Sequence, residues 1–256
     1  MTQSPRVIEL TAGVLRGNRS ALARAITLAE SELALDRTDA MSLIEALKTQ
    51  GGKAIRLGIT GAPGVGKSTL IDALGSFLLD RGKKIAVLTV DPSGVHNGGS
   101  ILGDQIRMQH LAGHERAFVR SSSAGVQSGG VAAATEHSIT LCAAAGYDVV
   151  IVETVGAGQT ERSIRPMVDF LLLLVSPGAG DEVQALKLGL LEVVDLVAIT
   201  KADGALQPLA EQTQSSYQAA LTLRSGGQSA PVIAISAAEG RGLDALWQQI
   251  SEKVRR

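Results

Sequence analysis

The segment Gly61-Ala62-Pro63-Gly64-Val65-Gly66-Lys67-Ser68 constrains this chain more than any other feature. It matches in full the pattern of a glycine, four residues, Gly-Lys and then Ser or Thr. It lies between a short apolar run, Ile55–Thr60, and a stretch of helical periodicity. Glycines let backbone N–H groups turn inward, and a helix opening directly after them adds free N–H groups and the positive end of its dipole. Such a strand–loop–helix unit cradles phosphate. Lys67 is expected on the β- and γ-phosphates and the Ser68 hydroxyl on Mg²⁺. Gly61, Pro63, Gly64, Val65, Gly66 and Thr69 complete the expected phosphate-facing set. A chance glycine-rich turn is the competing reading, and the strand before and helix after argue against it.

The rest of the chain repeats that alternation. Strand-like runs occur at Ile55–Thr60, Ile85–Val90, Ala117–Arg120, Asp148–Val152, Asp169–Val175, Leu196–Thr200 and Pro231–Ile235. Helical patterns at 67–81, 101–113, 129–146, 205–223 and 242–254 separate most of them. Apolar strands alternating with helices predict an α/β fold with a mainly parallel central sheet covered on both faces. Residues 6–50 differ. Val14, Leu15, Leu22, Ala25, Ile26, Leu28, Leu33, Leu35, Met41, Leu43, Ile44 and Leu47 recur at helical spacing. They predict two or three helices, ended by Gly51-Gly52. The expected division is an N-terminal helical extension, 1–52, and a nucleotide-binding domain, 53–256.

Composition removes several function classes. Aromatic residues make up 2% of the chain, too few for base-stacking on single-stranded nucleic acid. Lys and Arg number 24 against 25 Asp and Glu, so there is no broad footprint for nucleic acid or anionic lipid. A single cysteine, Cys142, excludes an internal disulfide and a multi-cysteine metal site within one chain. The run Phe170–Val175 falls far short of the ~18 residues that span a bilayer. The N-terminus carries no apolar signal region. The expectation is a cytoplasmic protein with neither nucleic-acid nor membrane partners.

Guanine recognition needs a carboxylate that accepts from N1–H and from the N2 amino group. Thr200-Lys201-Ala202-Asp203 follows an apolar strand and fits the pattern Asn or Thr, Lys, any residue, Asp. Asp203 would pair with the guanine edge and the Lys201 stem would cover the ring. Ser236-Ala237, after the last strand, would offer backbone N–H to guanine O6. Two acids end strands: Asp91 after Ile85–Val90, and Glu153 after Asp148–Val152. Carboxylates there can hold Mg²⁺ or its waters and orient an attacking water. Turn formation and N-capping are their plainer roles.

The segments Asp91-Pro92-Ser93, Gly98 to Asp104, Val152-Glu153-Thr154-Val155-Gly156 and Pro177-Gly178-Ala179-Gly180-Asp181-Glu182 resemble the MeaB/MMAA (ArgK-like) GTPases. That group lies in the metallochaperone-type (SIMIBI) class of P-loop GTPases, and the likeness runs over about residues 10–250. The resemblance implies a GTP-hydrolysing chaperone. Such a protein gates adenosylcobalamin loading into a B12-dependent acyl-CoA mutase, and protects or reactivates it, without itself binding cobalamin. It implies low intrinsic turnover that rises when the mutase docks. It places Asp91, Asp104 and Glu153 on two switch loops, with Asp104 added to the Mg²⁺ set. Asp181 and Lys187 fall on a third loop that responds to both partner and nucleotide. Thr200 stands where the family usually has Asn, Asn97 where Thr is usual, Gln105 where Lys is usual and Gly94 where Ser is common. The chain ends at Arg256, where longer members continue into a helical dimer arm. Dimerisation by that arm is therefore not expected. The partner could be a methylmalonyl-, isobutyryl- or hydroxyisobutyryl-CoA type of mutase.

Three other readings compete. A nickel-insertion GTPase would need metal ligands, and His110 and His114 share a helical face at i, i+4, a possible two-ligand site. A kinase acting on a transport protein would need a base for a hydroxyl acceptor, and no residue suggests one. A nucleotide-switched binding module would show no productive hydrolysis.

Overall fold

The computed structural model describes residues 3–31, 33–90, 107–122, 130–154, 163–178, 190–225 and 230–255. Seven strands form one sheet: β1 (Ile55–Gly61), β2 (Ile85–Val90), β3 (Ala117–Ser122), β4 (Val149–Thr154), β5 (Phe170–Val175), β6 (Leu196–Ile199) and β7 (Val232–Ala234). Their order is β3-β2-β4-β1-β5-β6-β7. The pairs β2/β3, β1/β5, β5/β6 and β6/β7 run parallel. Every residue of β4, β5 and β6 is buried, the pattern of strands covered on both faces. All seven strands predicted from the apolar runs are present.

The helices are α1 (Pro5–Leu15), α2 (Arg19–Glu30), α3 (Ala34–Lys48), α4 (Lys67–Leu79), α5 (Gln109–Ala112), α6 (Gly130–Ala144), α7 (Gln207–Ser225) and α8 (Leu243–Arg255). α5 is a single turn where a helix over 101–113 was expected; residues 101–106 lie outside the described residues. A 3₁₀ turn, Gly204–Leu206, leads into α7.

The chain divides into two compact units. The first comprises Met1–Arg56 with Leu78–Val152. Here α1 opens at Ser4, whose Oγ accepts from the Val7 N–H, with Pro5 set in the first turn. α2 opens at Asn18, which accepts from the Ala21 N–H at 2.9 Å. Val7, Leu10 and Val14, then Leu22, Ala25 and Ile26, then Ala40, Leu43, Ile44 and Leu47 face inward. These helices pack on one another and on α6. Gly13 permits the closest approach: a Cβ there would lie 2.5 Å from the Ala21 Cβ.

Leu15, Leu33, Leu35 and Met41, read from sequence as part of the same stripe, are exposed instead. The buried stripe of α3 descends from position 36 through Ala40 to Leu43, Ile44 and Leu47. Leu35 and Met41 each lie one residue, about 100°, off it. Asp36 takes the stripe's first position and pairs with Arg6 at 2.6 Å.

Arg120 of β3 binds α2 at three points: the Ala23 carbonyl, the Thr27 hydroxyl and, at 2.6 Å, the Glu30 carboxylate. Cys142 is fully buried in α6, and burial pushes its thiol pKa up to about 12.

The second unit comprises Leu57–Phe77 with Glu153–Arg256. Asp195, just before β6, is one of its buried carboxylates. One oxygen accepts from the Leu171 N–H at 2.7 Å, and the other takes Arg165 and Lys253. A single carboxylate thus ties the start of β5 to β6 and to α8. At the edge of the sheet, Gln218 accepts from the Val232 N–H and Gln214 donates to the Val232 carbonyl. These side chains satisfy the outward-facing backbone of Val232 in β7, which would otherwise invite another strand.

Candidate functional site

The phosphate loop leaves β1 at Gly61, whose φ is +154°. A Cβ there would lie 2.7 Å from the Leu174 carbonyl oxygen of the neighbouring strand, so only glycine fits. Gly66, with φ +103°, turns the chain into α4. The loop closes on itself through Val65 N–H to Ala62 carbonyl at 3.3 Å, and the Leu70 N–H returns to the Gly66 carbonyl at 2.9 Å. Pro63, Gly64 and Thr69 are exposed, while Val65 is buried and anchors the loop.

The Lys67 ammonium lies over the loop, donating to the Gly61 carbonyl at 3.0 Å and the Ala62 carbonyl at 3.2 Å. That holds its charge over the hollow that the loop surrounds, where a polyphosphate's negative charge would sit. Ser68 opens the helix and its hydroxyl donates to Glu153 Oε1 at 3.3 Å. Glu153 is buried at the end of β4. Beside it the Thr154 hydroxyl donates to that of Thr60 at 2.9 Å, binding β4 to β1 where the loop departs. The Ser68 hydroxyl and Glu153 carboxylate are oxygen donors converging beside the phosphate loop. Such a pair suits a hard divalent cation.

The loop after β6, expected from sequence to read the base, is joined directly to the phosphate loop. The Thr200 hydroxyl, buried, donates to the Val65 carbonyl at 2.7 Å, with the Val175 carbonyl at 3.2 Å as a second acceptor. Lys201 is the one non-glycine residue with positive φ among the described residues, at +53°. That backbone sends its side chain back across the site, where Nζ donates to the Gly64 carbonyl at 2.9 Å. The same strand end is held to its neighbour by Ala202 N–H to Ile235 carbonyl at 3.0 Å. Asp203 accepts from the Ser236 hydroxyl at 2.5 Å.

Ser236 departs from its expected use. Its N–H is taken by the Arg241 carbonyl at 3.0 Å, because the chain doubles back there in a short antiparallel bridge. The residue contributes its hydroxyl, which orients Asp203 and accepts from the Glu239 N–H at 3.1 Å. The expected amide donor toward a base carbonyl is thus reduced to that of Ala237.

The structure brings Gly61, Pro63, Gly64, Val65, Gly66, Lys67, Ser68, Thr69, Glu153, Thr200, Lys201, Asp203 and Ser236 into one unit. Asp91, Asp104, Asp181 and Lys187 lie outside the described residues, as do Gly94, Asn97 and Gln105. The two tethers to the phosphate loop were missed by sequence reasoning. Thr200 and Val65 are 135 residues apart, and no local pattern connects them. His110 and His114 do not share a helix. α5 ends at Ala112, and His114 Nδ1 accepts from the Arg116 N–H at 3.1 Å. Among the described residues, no group of three or more His, Cys, Asp or Glu side chains could hold a metal ion.

A parallel sheet, a glycine loop springing from a strand end and a carboxylate-bearing loop tied to it define a P-loop nucleotide-binding protein. Comparison with known proteins narrows this. The family described as methylmalonyl-CoA mutase-associated GTPase MeaB matches residues 22–256. A putative GTPase of Caulobacter vibrioides is 48% identical over 240 residues, covering 93% of this chain and 73% of that protein. The mouse methylmalonic aciduria type A homolog, mitochondrial, is 42% identical over 259 residues, 96% of this chain and 62% of that protein. A crystal structure of an LAO/AO transport system kinase superposes with a TM-score of 0.80 at 34% identity, covering 99% of this chain and 76% of that one. HypB from Helicobacter pylori in complex with nickel shares the fold alone, with a TM-score of 0.58 at 20% identity over 84% of this chain and 93% of that one. The chain belongs to the MeaB family.

Proposed function

We propose that this protein binds GTP with Mg²⁺ and hydrolyses it slowly. The cycle gates adenosylcobalamin loading into a B12-dependent acyl-CoA mutase, which the protein also protects or reactivates. The observation that carries the nucleotide part is the pair of bonds joining the base loop to the phosphate loop, Thr200 to Val65 and Lys201 to Gly64. With the loops tied, one ligand bearing both a purine edge and a polyphosphate engages both at once. Asp203, oriented by Ser236, accepts from the guanine edge, and the Ala237 N–H faces O6. Lys67 and the loop amides bind the phosphates.

Ser68 and Glu153 would hold the Mg²⁺ ion, which when bound neutralises phosphate charge. Glu153 also orients water for attack. Asp91 and Asp104 join the metal set, and Asp181 and Lys187 respond to the partner. The mutase role is supported by membership of a family described as mutase-associated. The partner is a methylmalonyl-, isobutyryl- or hydroxyisobutyryl-CoA mutase, and the setting is the cytoplasm.

Single-turnover GTP cleavage with and without each mutase tests this reading. The expected result is a slow basal rate raised by one of them. A rate that none of the mutases alters would leave a nucleotide-binding protein without the proposed role.

A further inference from the structure

We propose that the starts of β2, β3 and β4, with the turn between α1 and α2, form a docking surface for a carboxylate-rich face of a partner protein. All of these residues belong to the first compact unit. Parallel strands begin at one end of a sheet, so the segments before them meet there. The Lys84 N–H donates to Asp148 Oδ2 at 2.8 Å, the Asp148 N–H returns to the Lys84 carbonyl at 2.9 Å, and the Ile85 N–H donates to the Arg116 carbonyl at 3.0 Å. The Ile55 N–H reaches the Asp148 carbonyl at 2.9 Å, which brings in the segment carrying Lys53. The α1–α2 turn joins through Arg19, which donates to the His114 carbonyl at 3.3 Å. Gly17 faces the Ala145 carbonyl, 3.4 Å from where its Cβ would stand.

This end of the unit gathers Arg16, Arg19, Lys53, Lys83, Lys84 and Arg116 around Asp80, Glu115 and Asp148. The whole chain balances 24 basic against 25 acidic residues, so the excess is local. Some of these cations serve the fold. Arg116 donates to the Leu79 carbonyl at 2.9 Å, closing the end of α4, whereas Arg16 caps α1 through its backbone N–H alone. Helix dipoles do not account for Lys53 and Lys84, which precede strands, where dipoles largely cancel. Arg16, Lys53 and Lys84 are exposed and make no ion pair among the described residues. Lys83 lies 3.8 Å from Asp148.

Leu15, 45% exposed, adjoins Arg16 at the same turn. An apolar side chain with arginine beside it is the composition of an interface centre between proteins. A nucleic-acid backbone would find no use for Leu15 and would meet Asp80, Glu115 and Asp148 as repulsion. A protein can place carboxylates against the cations and a recess against the leucine. Exposed ion pairs contribute little singly, so the apolar anchor and the summed charge act together, and binding is salt-sensitive.

Fluorescence anisotropy on the full chain tests this. The probe is a labelled helical peptide with glutamates flanking a leucine stripe, alongside a duplex DNA and phosphatidylserine-containing vesicles. The expected result is peptide binding that weakens with salt, and that falls about tenfold in the Arg16→Glu/Lys84→Glu pair and again in Leu15→Asp. GTP affinity should be unchanged in each, which also reports folding. The milder Arg16→Gln/Lys84→Gln pair should give an intermediate loss. Absence of peptide binding, equal binding by all variants, or tighter binding of DNA or vesicles would overturn the proposal.

Discussion

The hydroxyl of Thr200 donates to the main-chain carbonyl of Val65 across 2.7 Å, joining the end of β6 to the middle of the phosphate loop. A hydroxyl has one proton, and the Val175 carbonyl competes for it at 3.2 Å. An Asn amide, usual in the family at this position, has two donors. The single tether here is therefore the whole side-chain link from this residue.

Removing it should be felt in nucleotide binding. Thr200→Val keeps the shape and loses the donor, stranding a buried carbonyl at a cost of about 1–3 kcal/mol. GTP and GDP affinity should fall together by calorimetry, while Thr200→Ser stays near wild type. Unchanged affinity in the valine variant would mean that the loop holds its form without the bond.

Asp203→Asn should relax the preference for guanine, because an amide presents only one acceptor oxygen to the two donors of the base edge. Loss of a charge-assisted hydrogen bond is worth about 1.5–3 kcal/mol. The GTP-to-ATP affinity ratio should drop by at least tenfold. An unaltered ratio would show that the base is read elsewhere.

Glu153→Gln tests the division between binding and chemistry. The amide keeps a hydrogen-bond acceptor toward Ser68 but loses the charge that water and metal require. Hydrolysis should fall by about 10² or more, with GTP affinity reduced far less. Equal losses in both would make Glu153 a structural residue of the loop.

Asp195→Ala removes the acceptor shared by the Leu171 N–H, Arg165 and Lys253. Leaving a buried N–H unpaired should lower stability by about 2 kcal/mol in urea unfolding, without altering GTP affinity of the folded protein. A midpoint equal to wild type would show that water replaces the carboxylate at no cost.

Burial holds the His137 imidazole below its ordinary pKa, against an opposing pull from the Glu136 carboxylate. The unfolded chain then binds more protons than the folded one between the lowered value and about 6.5. Stability from this group is complete above that range and is lost as pH falls through it. Urea midpoints at neutral and mildly acid pH should differ less in His137→Gln than in wild type. Equal slopes in the two proteins would place the acid sensitivity elsewhere.

Much of the architecture was legible locally. The seven apolar runs became the seven strands because a strand buried on both faces needs no alternation, only length and β-branched or aliphatic residues. Of the helix expected over 101–113, the described residues show the turn Gln109–Ala112, and residues 101–106 lie outside them. On α3, Leu35 and Met41 are apolar in sequence, yet each falls a residue off the buried stripe and is exposed, because helical spacing alone does not say which face a neighbouring element covers. At the site, the glycine pattern located Lys67 and Ser68, and the short motif located Thr200, Lys201 and Asp203. The Ser236 amide was misassigned because its partner, the Arg241 carbonyl, is supplied by a turn that doubles back.

The sequence by itself determined the phosphate loop, the strand-and-helix alternation and the family, because glycine φ requirements and side-chain periodicity are properties of adjacent residues. Tertiary structure alone decided that Thr200 and Lys201 hold the phosphate loop, that Asp195 binds three elements, and that cations from four separate segments meet at one end of the first unit. Each of these joins residues far apart in the chain, and only the stacking of parallel strands in register brings their ends together.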